Sequence, residues 1–186
     1  MDRVKSKKRE IKTVPQDNKG SEQPTLAQDI LQLFLKITII SIAFALVFTF
    51  LFGLHRVIDN SMEPAIQDGD LVIFYRLDKD YVATDTLVLE YEEKKQVRRV
   101  VAVAGDTVDV SEVGLTINGS LVQEDNIYEE TLRFTDGITL PVTVGKGQVF
   151  VLGDMRTSSI DSRLYGVVDI DDTLGKVMSI VRRRNI

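Results

Sequence analysis

Eighteen consecutive residues without a charge, Ile37–Leu54, restrict this chain more than any other feature it has. A helix needs about 20 mostly apolar residues to cross the hydrocarbon layer of a bilayer. Ile30, Leu31, Leu33, Phe34 and Leu35 extend the run backward, interrupted only by Gln32 and Lys36. Lys36 lies close enough to one end for its ammonium to reach the interface. A cleaved export signal would have a shorter apolar core nearer the start, so residues 30–54 are expected to form an uncleaved anchor. Residues 1–29 are expected to form a flexible tail, polar and poor in the apolar surface that offsets ordering entropy. Arg3, Lys5, Lys7, Lys8, Arg9 and Lys12 place that tail in the cytoplasm, where it can also touch anionic lipid. The expected location is therefore the cell membrane, with a single pass and residues 55–186 on the outer side.

What lies beyond the anchor is too short for two large domains, and one folded unit is expected over residues 55–186. The chain has no cysteine, which removes disulfides, thiolate nucleophiles and thiolate metal sites. Its only histidine, His55, stands beside the membrane, so a Ser-His-Asp triad and a typical zinc site are not expected. No metal-ligand spacing and no phosphate-cradling glycine loop is visible, and neither metal nor cofactor is expected. Residues 1–54 carry 8 Lys/Arg against 5 Asp/Glu, which leaves 15 against 23 for residues 55–186. A domain of that sign lacks the basic face that nucleic acid requires, whatever the terminal Arg182-Arg183-Arg184 run does.

Short apolar runs separated by turn signals replace helical periodicity after the anchor, the pattern of a β-rich domain. Residues 71–75, 86–91, 97–103, 148–152, 167–168 and 176–181 read as strands. Residues 115–117 and 121–123 flank Asn118-Gly119, a strong signal for a two-residue hairpin turn. Residues 124–147 are acidic and broken by Gly137, Pro141, Gly145 and Gly147; hairpins or an insertion with little chemistry are expected there. The expected fold is mainly antiparallel β, of small-barrel or sandwich type, preceded by one transmembrane helix.

Three stretches carry candidate chemistry: Ser61-Met62-Glu63-Pro64, Val97 to Asp106, and Gly153 to Arg163 with Ser159-Ile160-Asp161-Ser162-Arg163 at its end. In this order they resemble the boxes of the type I signal peptidase family. The resemblance covers the anchor and nearly all of residues 55–181. It implies a signal-peptidase-like β domain with Ser61 as nucleophile and Met62 near the substrate groove. It also implies a brace beneath the site that includes Asp154, Asp161, Ser162 and Arg163. The family cleaves exported preproteins at the signal-peptide junction with a serine and a lysine and no cofactor.

Two positions depart from that pattern. Aligning the second box on Gly105-Asp106 puts Arg98 at the catalytic position of the lysine base, and an arginine guanidinium stays protonated and cannot take a proton from serine. Lys95 falls on the opposite strand face, and Lys94 shares the face of Arg98 at roughly 13 Å along the strand. Asp59 stands where the family has a small residue contributing to the oxyanion hole, and a carboxylate there opposes the charge that develops on an attacked carbonyl. Asp59 and Arg98 are expected to form an ion pair that locks the site; the rival arrangement has Asp59 as base and Arg98 as electrophile. Two functions stay open. One is an endopeptidase acting at the signal-peptide junction. The other is a non-cleaving relative that binds precursors and assists assembly of surface structures, with pilin subunits among its partners.

Overall fold

The structure is a computed structural model and describes residues 25–182. The expected tail falls almost wholly outside the described residues. The chain divides into two units, Met1–Ile42 and Ala43–Ile186.

Helix α1 (Leu26–Leu51) is long and apolar enough to cross a membrane. It starts four residues before the expected anchor and ends three residues before it, because Phe52–Arg56 form strand β1. Gly53 explains the change. It pairs with Phe74 of strand β2 (Leu71–Tyr75), and a Cβ at this position would collide with the Phe74 ring. The apolar run thus serves two elements, and composition alone does not mark the junction.

The remaining strands are β3 (Thr86–Tyr91), β4 (Lys94–Val103), β5 (Thr107–Ser111), β6 (Gly114–Ile117), β7 (Ser120–Leu121), β8 (Val142–Thr143), β9 (Gln148–Leu152), β10 (Val168–Asp169) and β11 (Thr173–Val181). A single-turn helix, α2 (Ser162–Tyr165), precedes β10. They form a seven-stranded sheet of order β1-β2-β11-β3-β4-β9-β10 and a four-stranded sheet of order β7-β6-β5-β8. Every pairing is antiparallel, so the mainly antiparallel β expectation holds.

Period-2 alternation explains how one strand serves two parts of the core. Val88 and Val97 pack with Val57, Met62, Ile66, Val72 and Phe74. Leu87, Leu89 and Val100 pack instead with Tyr81, Val149, Val151 and Val168. The four-stranded sheet closes a third cluster, in which Val108, Val110 and Leu115 meet Ala102, Phe150 and Leu152. The Asn118-Gly119 turn forms as expected, both residues having positive φ. A second such turn, Glu92-Glu93 between β3 and β4, has φ of 49° and 62° and carries no glycine or asparagine to announce it.

Candidate functional site

Ser61 lies in the loop between β1 and β2, buried to 4% exposure. Its neighbour Met62 anchors that loop from below, fully buried among Val57, Ile66 and Phe74. The side chain of Met62 therefore belongs to the core and does not line the cavity at Ser61. The third box holds the loop from the other side. The backbone N–H of Met155 donates to the carbonyl of Ser61 at 2.9 Å, and Gly153 runs so close that a Cβ would come within 2.7 Å of the same carbonyl.

Arg98 reaches Ser61 from the middle of β4. The pairing of β3 with β4 is unbroken from Tyr91↔Lys94 to Thr86↔Arg99. The only register shift on β4 lies beyond it, between Val100 and Ala102. No bulge brings a lysine into the place of Arg98. The guanidinium is 2% exposed and fixed at two carbonyls: Nε donates to Ile160 O at 2.9 Å and Nη1 to Val97 O at 2.6 Å. Nη1 also donates to Ser61 Oγ at 2.6 Å.

Asp59 completes the arrangement. Ser61 Oγ donates to Asp59 Oδ1 at 2.7 Å, and the backbone N–H of Ser61 donates to the same oxygen at 3.3 Å. Asp59 Oδ2 stands 3.9 Å from Arg98 Nη1. The expected ion pair is thus at the limit of contact, and the serine hydroxyl is inserted between its two members. Ser61 Oγ–H donates to the carboxylate while its oxygen accepts from the guanidinium.

This geometry sets what the site can do. Attack by Ser61 requires a proton acceptor, and of the two groups in contact only Asp59 is one. The same carboxylate also accepts from the Ser61 N–H. That backbone donor is thus turned onto a negative charge of the protein itself. A cavity of about 550 Å³ opens over these groups, with Ile58, Asp68, Lys94, Lys95 and Gln96 in its wall. Both lysines lie along the cavity, although neither hydrogen-bonds Ser61.

The brace is built from longer-range partners than the third box suggests. Asp161 and Arg163 pair at 2.8 Å with side chains 0% and 1% exposed. Asp161 also accepts from Gly153 N at 3.1 Å and caps α2 by accepting from Arg163 N. Ser162 Oγ accepts from Val151 N at 3.0 Å. Asp154 does not pair with its neighbour Arg156. It takes both Nε and Nη2 of Arg99, at 2.8 and 2.6 Å, and this pairing holds the Arg99 guanidinium above its ordinary range. Arg156 pairs with Glu124 at 2.6 Å and also donates to Thr131 Oγ1. Glu129 accepts from Thr157 at 2.9 Å. Residues 124–147, expected to carry little chemistry, thus supply the partners that fix the third box; only their acidity hinted at it. Burial pushes the Tyr165 phenol well above its ordinary range, and the Arg98 guanidinium opposes that shift. Among the described residues no cluster of three or more His, Cys, Asp or Glu is arranged to hold a metal ion.

The family described as Signal peptidase, peptidase S26 matches residues 30–182. A signal peptidase I of Bacillus caldolyticus is 34% identical over 142 residues, spanning 69% of this chain and 78% of that protein. A signal peptidase I of Bacillus licheniformis is 32% identical over 161 residues, spanning 80% and 87%. The crystal structure of a signal peptidase I from Enterococcus faecalis V583 aligns with a TM-score of 0.45 at 26% identity, over 54% of this chain and 97% of that one. The sequence matches over most of the chain carry the assignment: this protein belongs to the signal peptidase I family.

Proposed function

We propose that this protein binds the extended segment at the signal-peptide junction of exported preproteins, pilin precursors among them, and holds it without cutting. In this reading α1 is a single membrane anchor, the N-terminus is cytoplasmic and the β domain faces outward. The preprotein adds as a strand at an exposed sheet edge, where backbone pairing gives affinity and side-chain pockets give selectivity. Strand β1 supports this role: it is an edge strand and leads directly into the loop that carries Ser61.

One observation carries the non-cleaving part. Ser61 Oγ is held between Arg98, which cannot accept its proton, and Asp59, which also occupies the Ser61 N–H. Base and oxyanion donor are thereby compromised together. A second reading is favoured by the 2.7 Å contact of Ser61 Oγ with Asp59 Oδ1, the geometry of a nucleophile with its base. It gives a slow endopeptidase with Ser61 as nucleophile and Arg98 as electrophile.

The test is capture of a labelled preprotein by the full-length protein in detergent, with the same preprotein lacking its signal-peptide junction as control. Retention of the intact preprotein and loss of the control is the expected result. Equal retention of both would overturn the binding role, and release of a processed product that requires Ser61 would establish the second reading.

A further inference from the structure

Asp59 sits in the site the way a bound ligand would. Its carboxylate accepts from Ser61 N–H and from Ser61 Oγ–H and faces the guanidinium of Arg98. The two halves of this arrangement are held very differently. Arg98 is 2% exposed and tied to the carbonyls of Ile160 and Val97, and the backbone of Ser61 is tied to Met155. The Asp59 side chain is 43% exposed, and among the described residues its carboxylate accepts hydrogen bonds only from the N–H and Oγ–H of Ser61. Rotation of Asp59 toward solvent leaves the receiving groups in place.

The geometry points to a carboxylate-binding site made of Ser61 N–H, Ser61 Oγ–H and Arg98, which Asp59 fills from within and a peptide carboxylate fills when Asp59 moves aside. This inference rests on the site being one that binds and does not cut. Charge in the cavity supports it. Lys94, Lys95 and Arg98 line it against Asp59 and Asp68, and neither lysine forms an ion pair among the described residues. With Asp59 displaced, three cations face one carboxylate. The cavity, at about 550 Å³, is large enough for a few peptide residues. A carboxylate rather than a neutral carbonyl suits the donors, because charged acceptors make hydrogen bonds roughly twice as strong as neutral ones. Asp59 competes as a tethered ligand at an effective concentration on the order of millimolar, which keeps the site closed to weakly held acids. The carboxylate that displaces it comes from a peptide C-terminus or from an acidic side chain; both present the same two oxygens.

Full-length protein in detergent, as wild type and as Asp59→Ala, is titrated with three N-acetylated hexapeptides of small residues. One has a free C-terminus, one a C-terminal amide, and one a C-terminal amide with glutamate as its last residue. Asp59→Ala is expected to bind the free acid about tenfold tighter than wild type does, and about tenfold tighter than it binds the amide. Adding Arg98→Gln should remove the preference. Lys95→Gln, at an exposed position, should reduce it severalfold without risk to folding. Preference for the glutamate peptide instead identifies a side chain as the source and supports the same site. Equal binding of all three peptides by Asp59→Ala, or equal affinity of wild type and Asp59→Ala for the free acid, overturns it. Retained preprotein capture with no carboxylate preference contradicts this inference alone. A carboxylate preference with no preprotein capture contradicts only the proposed function.

Discussion

Two side chains, Asp59 and Arg98, hold the hydroxyl of Ser61 between them. The serine itself, its loop and the glycine beneath it are all arranged to present a hydroxyl to the cavity. In the proposed non-cleaving reading, what sets the outcome is that a permanent cation, Arg98, and an anion, Asp59, flank the hydroxyl. Replacing Arg98 with Lys and Asp59 with Gly in one chain restores a group that can lose its proton when desolvated and frees the Ser61 N–H. General-base catalysis contributes about 10²–10⁴ in rate, so the double variant is expected to cleave a preprotein at least about a hundredfold faster than wild type. Unchanged cleavage would mean that these two residues do not limit cleavage. That Ser61 and Arg98 share one cavity was legible in the sequence because their boxes are local and keep their order. The insertion of the serine hydroxyl between Asp59 and Arg98 was not, since it depends on a 37-residue separation closed by β4 and the loop after β1. The partners of Arg99 and Arg156 escaped for the same reason, because Asp154 and Glu124 lie 55 and 32 residues away from them.

Elements show a similar division between what local chemistry announces and what pairing imposes. Asn118-Gly119 is the turn its residues favour, whereas Glu92-Glu93 adopts the same left-handed conformation at both positions because the register of β3 and β4 demands it. L-residues in that region cost roughly 1–2 kcal/mol each, and two adjacent like charges add nothing favourable. Glu92→Asn with Glu93→Gly is expected to raise stability by about 1 kcal/mol, or about 2–4 °C in thermal midpoint, leaving preprotein capture intact. A lower midpoint would show that the glutamates contribute contacts of their own. Strand β1 was hidden for a different reason, since Phe52-Gly53-Leu54 continue an apolar run and only the Phe74 ring across the pair reveals why the helix stops. In the third box, Asp161 is the residue on which most depends. It pairs with Arg163, receives Gly153 N–H and caps α2. Breaking a buried ion pair by removing one partner costs about 3–5 kcal/mol. Asp161→Ala should lose that much in urea unfolding and take capture with it, and a loss below about 1 kcal/mol would remove the brace from the account.

At the scale of the whole molecule, an apolar helix and an acidic β domain read directly from composition, and the antiparallel character followed from alternation and turn spacing. The division into seven and four strands did not, because it is fixed by which strand edges meet. The only histidine joins the two scales. Burial and the nearby Lys95 ammonium hold His55 below its ordinary value, with Asp59 acting in the opposite direction. Its folded value therefore lies under the unfolded one of about 6.5, and as pH falls the unfolded chain takes up the proton first. Stability is full above about pH 6.5 and declines as the pH drops through the folded value. His55→Gln should flatten that part of the stability profile, and an unaltered acid limb would assign it to carboxylates instead. The measurement that bears most directly on the central claim is cleavage of a labelled preprotein by the full-length protein in detergent, run beside Ser61→Ala. Equal and negligible processing by the two proteins, with the preprotein retained by both, is the predicted result. Processing at the signal-peptide junction by wild type that vanishes in Ser61→Ala would contradict it and establish Ser61 as a nucleophile.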